Sequence, residues 1–198
     1  IIDDIAFENA KGKLAFGKTT AEPLTKNSSA VVEEKSKLEL KIKQTTLKNI
    51  DFIFENDNAP VVTKGIDYQH LDIQSLNLDL ENLHYSPLSI DGKLNALSVK
   101  EKSGLAIQSF TTDFFYGRKN SYLKNLNLKT AKTELKDNIE VGYPSIESIS
   151  DNLGELSVKA NLNNSRLGFQ DVLIFVPGMA NSVPFKGNPN AILKINSQ

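Results

Sequence analysis

The sequence contains no cysteine, no tryptophan and a single methionine, and only two histidines among 198 residues. Without cysteine there is neither a disulfide framework nor a thiolate metal site, and every compartment stays open. An excess of one charge is also lacking, since 23 basic residues face 24 acidic ones for a formal charge of −1. Nucleic-acid binding draws on a clustered positive surface, which this balance argues against. No apolar run approaches the ~18 residues of a membrane-spanning helix. No secretory leader pattern is present either. The chain begins abruptly at Ile1 and stops at Gln198. It therefore reads as a piece of a longer protein, with targeting signals expected elsewhere.

What the sequence does have is period-two alternation. Leu38, Leu40 and Ile42 alternate with Lys37, Glu39, Lys41 and Lys43. Leu76, Leu78 and Leu80 alternate with Asn77, Asp79 and Glu81, and Leu126 and Leu128 with Asn125, Asn127 and Lys129. Leu156, Val158, Ala160 and Leu162 alternate with Ser157, Lys159 and Asn161. Successive strand side chains point to opposite faces, so each run buries one face and wets the other. The expectation is an all-β, mostly antiparallel architecture. Turn signals interrupt the runs at Asp57-Asn58-Ala59-Pro60, Asp91-Gly92, Lys102-Ser103-Gly104, Gly117-Arg118-Lys119-Asn120 and Asn163-Asn164-Ser165. At Gln74-Ser75 the apolar phase slips from Leu71 and Ile73 to Leu76, Leu78 and Leu80, which calls for a bulge.

Two stretches break the strand rule. Residues 18–36 are polar, contain Pro23 and read as a mobile loop that, with an initial strand, separates residues 1–37 from a β segment over 38–198. Asp171 is placed to cap a short helix through Val172–Phe175, ended by Pro177-Gly178.

Catalytic chemistry has little to stand on. His70 and His84 lie on separate predicted strands without a recognisable ligand set, and read as surface or strand-edge residues. No nucleophile elbow, phosphate loop or dinucleotide fingerprint occurs. The carboxylate neighbours Asp3-Asp4 and Glu33-Glu34 would point to opposite sides of a strand. Asp51, Asp79 and Glu81 belong to the predicted wet face. Lys37, Lys41 and Lys43 read as a positive strand edge that discourages sheet association, with contact to anionic headgroups as the functional alternative. The chain is expected not to be an enzyme, with no metal and no cofactor.

Three segments carry a family resemblance. Ile90 to Leu105 follows a G-x-φ-x-x-L-S-φ-K-E-K-S-G-φ pattern, φ being apolar, in Gly92, Leu97-Ser98-Val99-Lys100-Glu101-Lys102-Ser103-Gly104 and Leu105. Leu126 to Leu135 follows L-x-L-x-T-x-x-T-x-φ, with Ala131 where proline is the rule, and Ser165 to Pro177 follows S-x-φ-x-φ-x-D-φ-x-x-F-x-P. In this order they resemble the TamB family of Bacteroidota, within the AsmA-like, bridge-type lipid-transfer superfamily. The resemblance runs from about Leu38 to Pro177. It implies an elongated, curled sheet with an open apolar groove. It implies a periplasmic segment of an inner-membrane-anchored envelope protein that moves phospholipids between inner and outer membranes. The partners it implies are phospholipid acyl chains within the groove and, through other parts of the protein, a TamA-like outer-membrane partner of the Omp85 type.

Periodicity alone leaves two architectures open, a second sheet covering the apolar face or a curled sheet holding acyl chains, and by itself favours the sandwich. A groove would hold lipid at about 0.8 kcal/mol per buried CH₂ without specific polar contacts. The groove residues expected are Leu40, Ile42, Phe52, Phe54, Leu76, Leu78, Leu80, Leu97, Val99, Leu126, Leu128, Leu156, Val158 and Leu162. The alternative functions are a scaffold or chaperone offering sheet edges to outer-membrane strands, and a cell-surface β-sandwich binding module.

Overall fold

The computed structural model describes residues 1–18, 38–145, 155–183 and 185–196. The loop expected over 18–36 lies outside them apart from Lys18. Strands account for 62% and helical turns for 8%, and the architecture is a single curled sheet that does not close. The strands are β1 (Ile2–Glu8), β2 (Lys11–Phe16), β3 (Leu40–Asn56), β4 (His70–Ser86), β5 (Ser89–Glu101), β6 (Ala106–Ile107), β7 (Ser109–Gly117), β8 (Asn120–Lys129), β9 (Glu134–Gly142), β10 (Ser157–Asn161), β11 (Ser165–Gly168) and β12 (Ile192–Ile195). Helix α1 (Phe169–Phe175) and a 3-10 turn (Pro177–Asn181) follow β11. The main path runs β1-β3-β4-β5-β7-β8-β9-β11-β12, with β2 on β3, β6 on β5 and β10 on β9. From β3 onward every pairing is antiparallel, while β1 and β2 run parallel to β3.

The sheet is bent by a repeated local device. Leu47-Lys48-Asn49-Ile50, Ile73-Gln74-Ser75-Leu76, Leu80-Glu81-Asn82-Leu83 and Leu123-Lys124-Asn125-Leu126 each place two apolar residues three apart. In each, the residue before the second apolar one has a left-handed backbone, with φ 52° at Asn49, 51° at Ser75, 52° at Asn82 and 52° at Asn125. Asparagine tolerates that conformation better than most residues. The extra residue keeps both flanking apolar side chains on one face, and a bulge increases local twist and bends the strand. The bulge expected at Gln74-Ser75 is thus one of a set. Asn9 (φ 51°) is another, so β1 and β2 are consecutive stretches of one bent strand lying along β3. Bulges on neighbouring strands are tied together. The Asn49 side-chain amide donates to Asn9 Oδ1 at 2.8 Å, and the Asn49 N–H donates to Asn77 Oδ1 at 3.0 Å.

Four sequence expectations change. Asp91 and Gly92 lie inside β5, and the turn falls at Pro87-Leu88. Gly92 matters there because a Cβ would stand 3.1 Å from the Phe114 ring. Asp171 is inside α1, whose N-cap is Gly168 without a side-chain cap bond. Lys41 and Lys43 lie on a strand flanked by neighbours on both sides, so they form no sheet edge; they pair with Glu39 and Asp3. Lys37 lies outside the described residues. The sandwich is the fourth, since all described strands belong to one sheet.

Candidate functional site: an open apolar face

Residues paired across strands share a face, so the register traces that face directly. One row runs Leu40, Tyr85, Ile90, Tyr116, Ser121, Val141, Val158 across β3, β4, β5, β7, β8, β9 and β10. A second runs Phe7, Leu47, Leu78, Leu97, and a third Thr45, Leu80, Leu94, Thr112. A fourth runs Gly92, Phe114, Leu123, Ile139, Ala160, and a fifth Phe110, Leu128, Leu135. Alternation of Leu78 and Leu80 along β4 joins the second row to the third, and alternation along β5 and β7 joins the others. All the expected groove residues that lie in strands therefore share one face: Leu40, Ile42, Phe52, Phe54, Leu76, Leu78, Leu80, Leu97, Val99, Leu126, Leu128 and Val158. Leu156 and Leu162 flank β10, and Leu162 is buried.

Among the described residues this face has no second layer over most of its extent. Phe7 is 58% exposed, Phe16 51% and Val158 61%, and among the described residues no large side chain is completely buried. Contiguous exposed apolar surface of this kind marks a binding surface. Sequence reasoning missed Leu83, Leu94, Phe110, Phe114, Leu123, Ile139 and Val141. The three-residue apolar spacing around Asn82 and Asn125 was the available signal, because it keeps the phase across what otherwise looks like a strand break.

The opposite face is largely polar, with one stacked aromatic pair, Phe115 on Tyr122, among its charged and amide side chains. Gln44 and Asn95 side-chain amides donate to Asp79 at 2.9 and 3.1 Å, Lys11 pairs with Asp51 at 3.2 Å, and Lys93 lies 3.5 Å from Glu81. The Ser75 N–H and the Lys11 ammonium hold the Asp51 carboxyl below its usual range.

Helix α1 covers one end of the apolar face. Its Asp171 accepts hydrogen bonds from the Thr130 hydroxyl at 2.6 Å and the Thr133 hydroxyl at 2.5 Å. The Ile66 N–H donates to the Ile174 carbonyl at 2.9 Å, so α1 meets the β3–β4 loop. The contour from β11 to β4 is five strand spacings, about 24 Å, whereas seven helical residues rise only about 10 Å. The curl of the sheet and the reach of the loop, in which Ile66 lies four residues before β4, together bring helix and loop into contact. Gly65 makes the contact possible. Its φ is +76°, and a Cβ there would stand 2.5 Å from the Ile174 carbonyl oxygen.

The histidines divide. His70 is buried at the start of a central strand, contrary to the expected surface or strand-edge position, and its Nδ1–H donates to Asp67 at 2.9 Å. Burial works to raise the Asp67 pKa, but bonds from the Val62 N–H, His70 and the Gln69 N–H outweigh it and leave the carboxyl below its ordinary value. This pair pins the loop that meets α1. His84 is half-exposed between Glu39 at 3.0 Å and Asp91 at 3.3 Å. Among the described residues no group of three or more histidine, aspartate or glutamate side chains is placed to hold a metal ion. Nor is any described helix long and apolar enough to cross a membrane.

The geometry defines the class: an open, curled, one-sided apolar sheet with a capped end. No protein-family model, curated protein or solved structure matches the chain.

Proposed function

We propose that this segment binds phospholipid acyl chains along its open apolar face and serves as one stretch of a periplasmic bridge carrying them between inner and outer membranes. The observation that carries the reading is the face itself, largely apolar from β3 to β10, without a second layer over most of its extent among the described residues, and backed by a largely polar face. At about 0.8 kcal/mol per buried CH₂, a chain laid along it is held by apolar burial, without need of a fixed polar contact. The resemblance to the TamB family supports the setting: a membrane anchor elsewhere in the protein and a TamA-like partner at the outer membrane. Nothing in the proposed work calls for catalysis.

The test is transfer of a fluorescent phospholipid between donor and acceptor vesicles by the purified chain, together with native mass spectrometry for bound lipid. Wild type should bind and transfer, and Leu78→Asp should do neither while remaining folded. A wild-type chain that binds no lipid by either method refutes the reading.

A further inference from the structure

Between α1 and the sheet lies a half-open cavity of about 190 Å³, lined by Leu105, Ile107, Leu128, Leu135, Leu167, Val172 and Phe175 along with Thr130, Thr133 and Asp171. The polar side chains are bonded to one another. Both threonine hydroxyls donate to Asp171 Oδ2, Thr130 Oγ1 accepts from the Thr133 N–H at 2.8 Å, and Thr133 Oγ1 accepts from the Gly168 N–H at 3.0 Å. A ligand entering this cavity therefore meets apolar surface. Leu128 and Leu135 belong to the open face, so the cavity continues the groove under the helix. An apolar cavity of about 150 Å³ takes up benzene, which makes this one large enough for roughly six carbons of an alkyl chain.

We propose that this cavity holds the methyl end of a single alkyl chain. An acyl chain then lies along the groove tail-first against α1, with its headgroup directed toward the end of the sheet where the turns at residues 87–88 and 118–119 lie. The proposal rests on the lipid reading above and deepens it. Here the groove has a seat with a defined direction, where an uninterrupted trough would have none. The ligand class is an alkyl chain, because the accessible lining is apolar and the volume takes roughly six carbons.

The experiment uses the whole chain with two photoreactive palmitates, one carrying a diazirine near its methyl end and one near its carboxylate, and maps the adducts by mass spectrometry. Methyl-end adducts should fall on Leu135, Leu167 and Val172, and carboxyl-end adducts on Leu94, Phe114, Leu123 or beyond. Val172→Trp fills the cavity. Excluding even two methylenes from it should cut methyl-end adducts at Leu135 and Leu167 about tenfold, with unchanged circular dichroism. Carboxyl-end adducts in the cavity would overturn the proposal. So would methyl-end adducts scattered along the face and absent beneath α1, a result that leaves the lipid reading standing. Absence of adducts anywhere on the apolar face would overturn both. The wild-type map decides the matter even if the tryptophan variant does not fold.

Discussion

The two ends of the apolar face are made of the same kind of residue and end in opposite states. Beside β1 and β2, Phe7 and Phe16 stand more than half exposed, whereas beneath α1 Leu128 and Leu135 are half-buried and the neighbouring Leu105 is only 8% exposed. Alternation supplies the apolar face in both places. What differs is a seven-residue helix, held by two threonine hydroxyls on Asp171 and one backbone bond from Ile66. Periodicity therefore decides which residues share a face, and separate, local contacts decide whether that face is covered.

The largest effect should come from contrasting two leucines of one strand-built face. Leu126 is 3% exposed and Leu78 is half-buried on the open part. Leu126→Asp buries a carboxylate without a partner and should cost several kcal/mol, a large share of a total near 5–15. Leu78→Asp should shift the melting temperature little while abolishing lipid binding. Equal thermal loss in both variants, measured by calorimetry, would erase the distinction between covered and open surface.

Next in size is the cap. Asp171→Ala leaves two part-buried threonine hydroxyls without their charged acceptor, and hydrogen bonds to charged groups are worth about 1.5–3 kcal/mol. Denaturant unfolding should show that loss, and hydrogen exchange should show α1 amides opening while β4 and β5 keep their protection. Gly65→Ala attacks the same contact from the loop. Its positive φ and the close Ile174 carbonyl together should cost at least about 1 kcal/mol. Native protection at the Ile66 amide in this variant would argue against the bridge.

The bulges offer a smaller test. Ser75 is exposed at φ 51°, and Ser75→Gly should be neutral or slightly stabilising. Ser75→Val should cost about 1–2 kcal/mol, because left-handed backbone is steep for a β-branched residue. A stable valine variant would mean that the strand tolerates losing its bend.

The smallest effect is acid sensitivity of the capped end. Asp67, Glu101 and Glu134 all have lowered pKa values in the folded chain. Burial opposes the shift in Asp67 and Glu101 but is outweighed by hydrogen bonds, and in Glu134 the Lys136 ammonium dominates. A lowered carboxylate contributes stability that is complete above its unfolded pKa, about 4, and is lost as pH falls through the folded value. Melting temperature should be flat from pH 7 to 5 and fall below about 4. Asp67→Asn should flatten that acid limb, and an unchanged limb would remove Asp67 from the account.

Much of this was legible in the residues. The alternations at Leu76–Leu80 and Leu126–Leu128, the slip at Gln74-Ser75 and the turns at Ser103-Gly104 and Gly117–Asn120 all appear where period two and turn chemistry place them. The curl was harder to read, because it comes from single asparagine or serine residues, two of them in β4, and an isolated Asn inside an apolar run resembles a strand end. Asp91-Gly92 misled for the same reason. A turn dipeptide sits mid-strand because glycine makes room for the Phe114 ring, which is a contact between strands. The parallel placement of β1 and β2 on β3, and the reach of α1 to Ile66, are long-range features that no local pattern encodes.

The central claim is that the apolar face, and not its reverse, carries lipid. Photo-crosslinking residues placed singly at Leu78, Leu128 and Val158, and on the other side at Asn77, Asn127 and Lys159, test it directly. Illumination in phospholipid vesicles should give lipid adducts at the first three positions and none at the second three. Equal labelling of both faces, or no labelling of either in a folded chain, would contradict it.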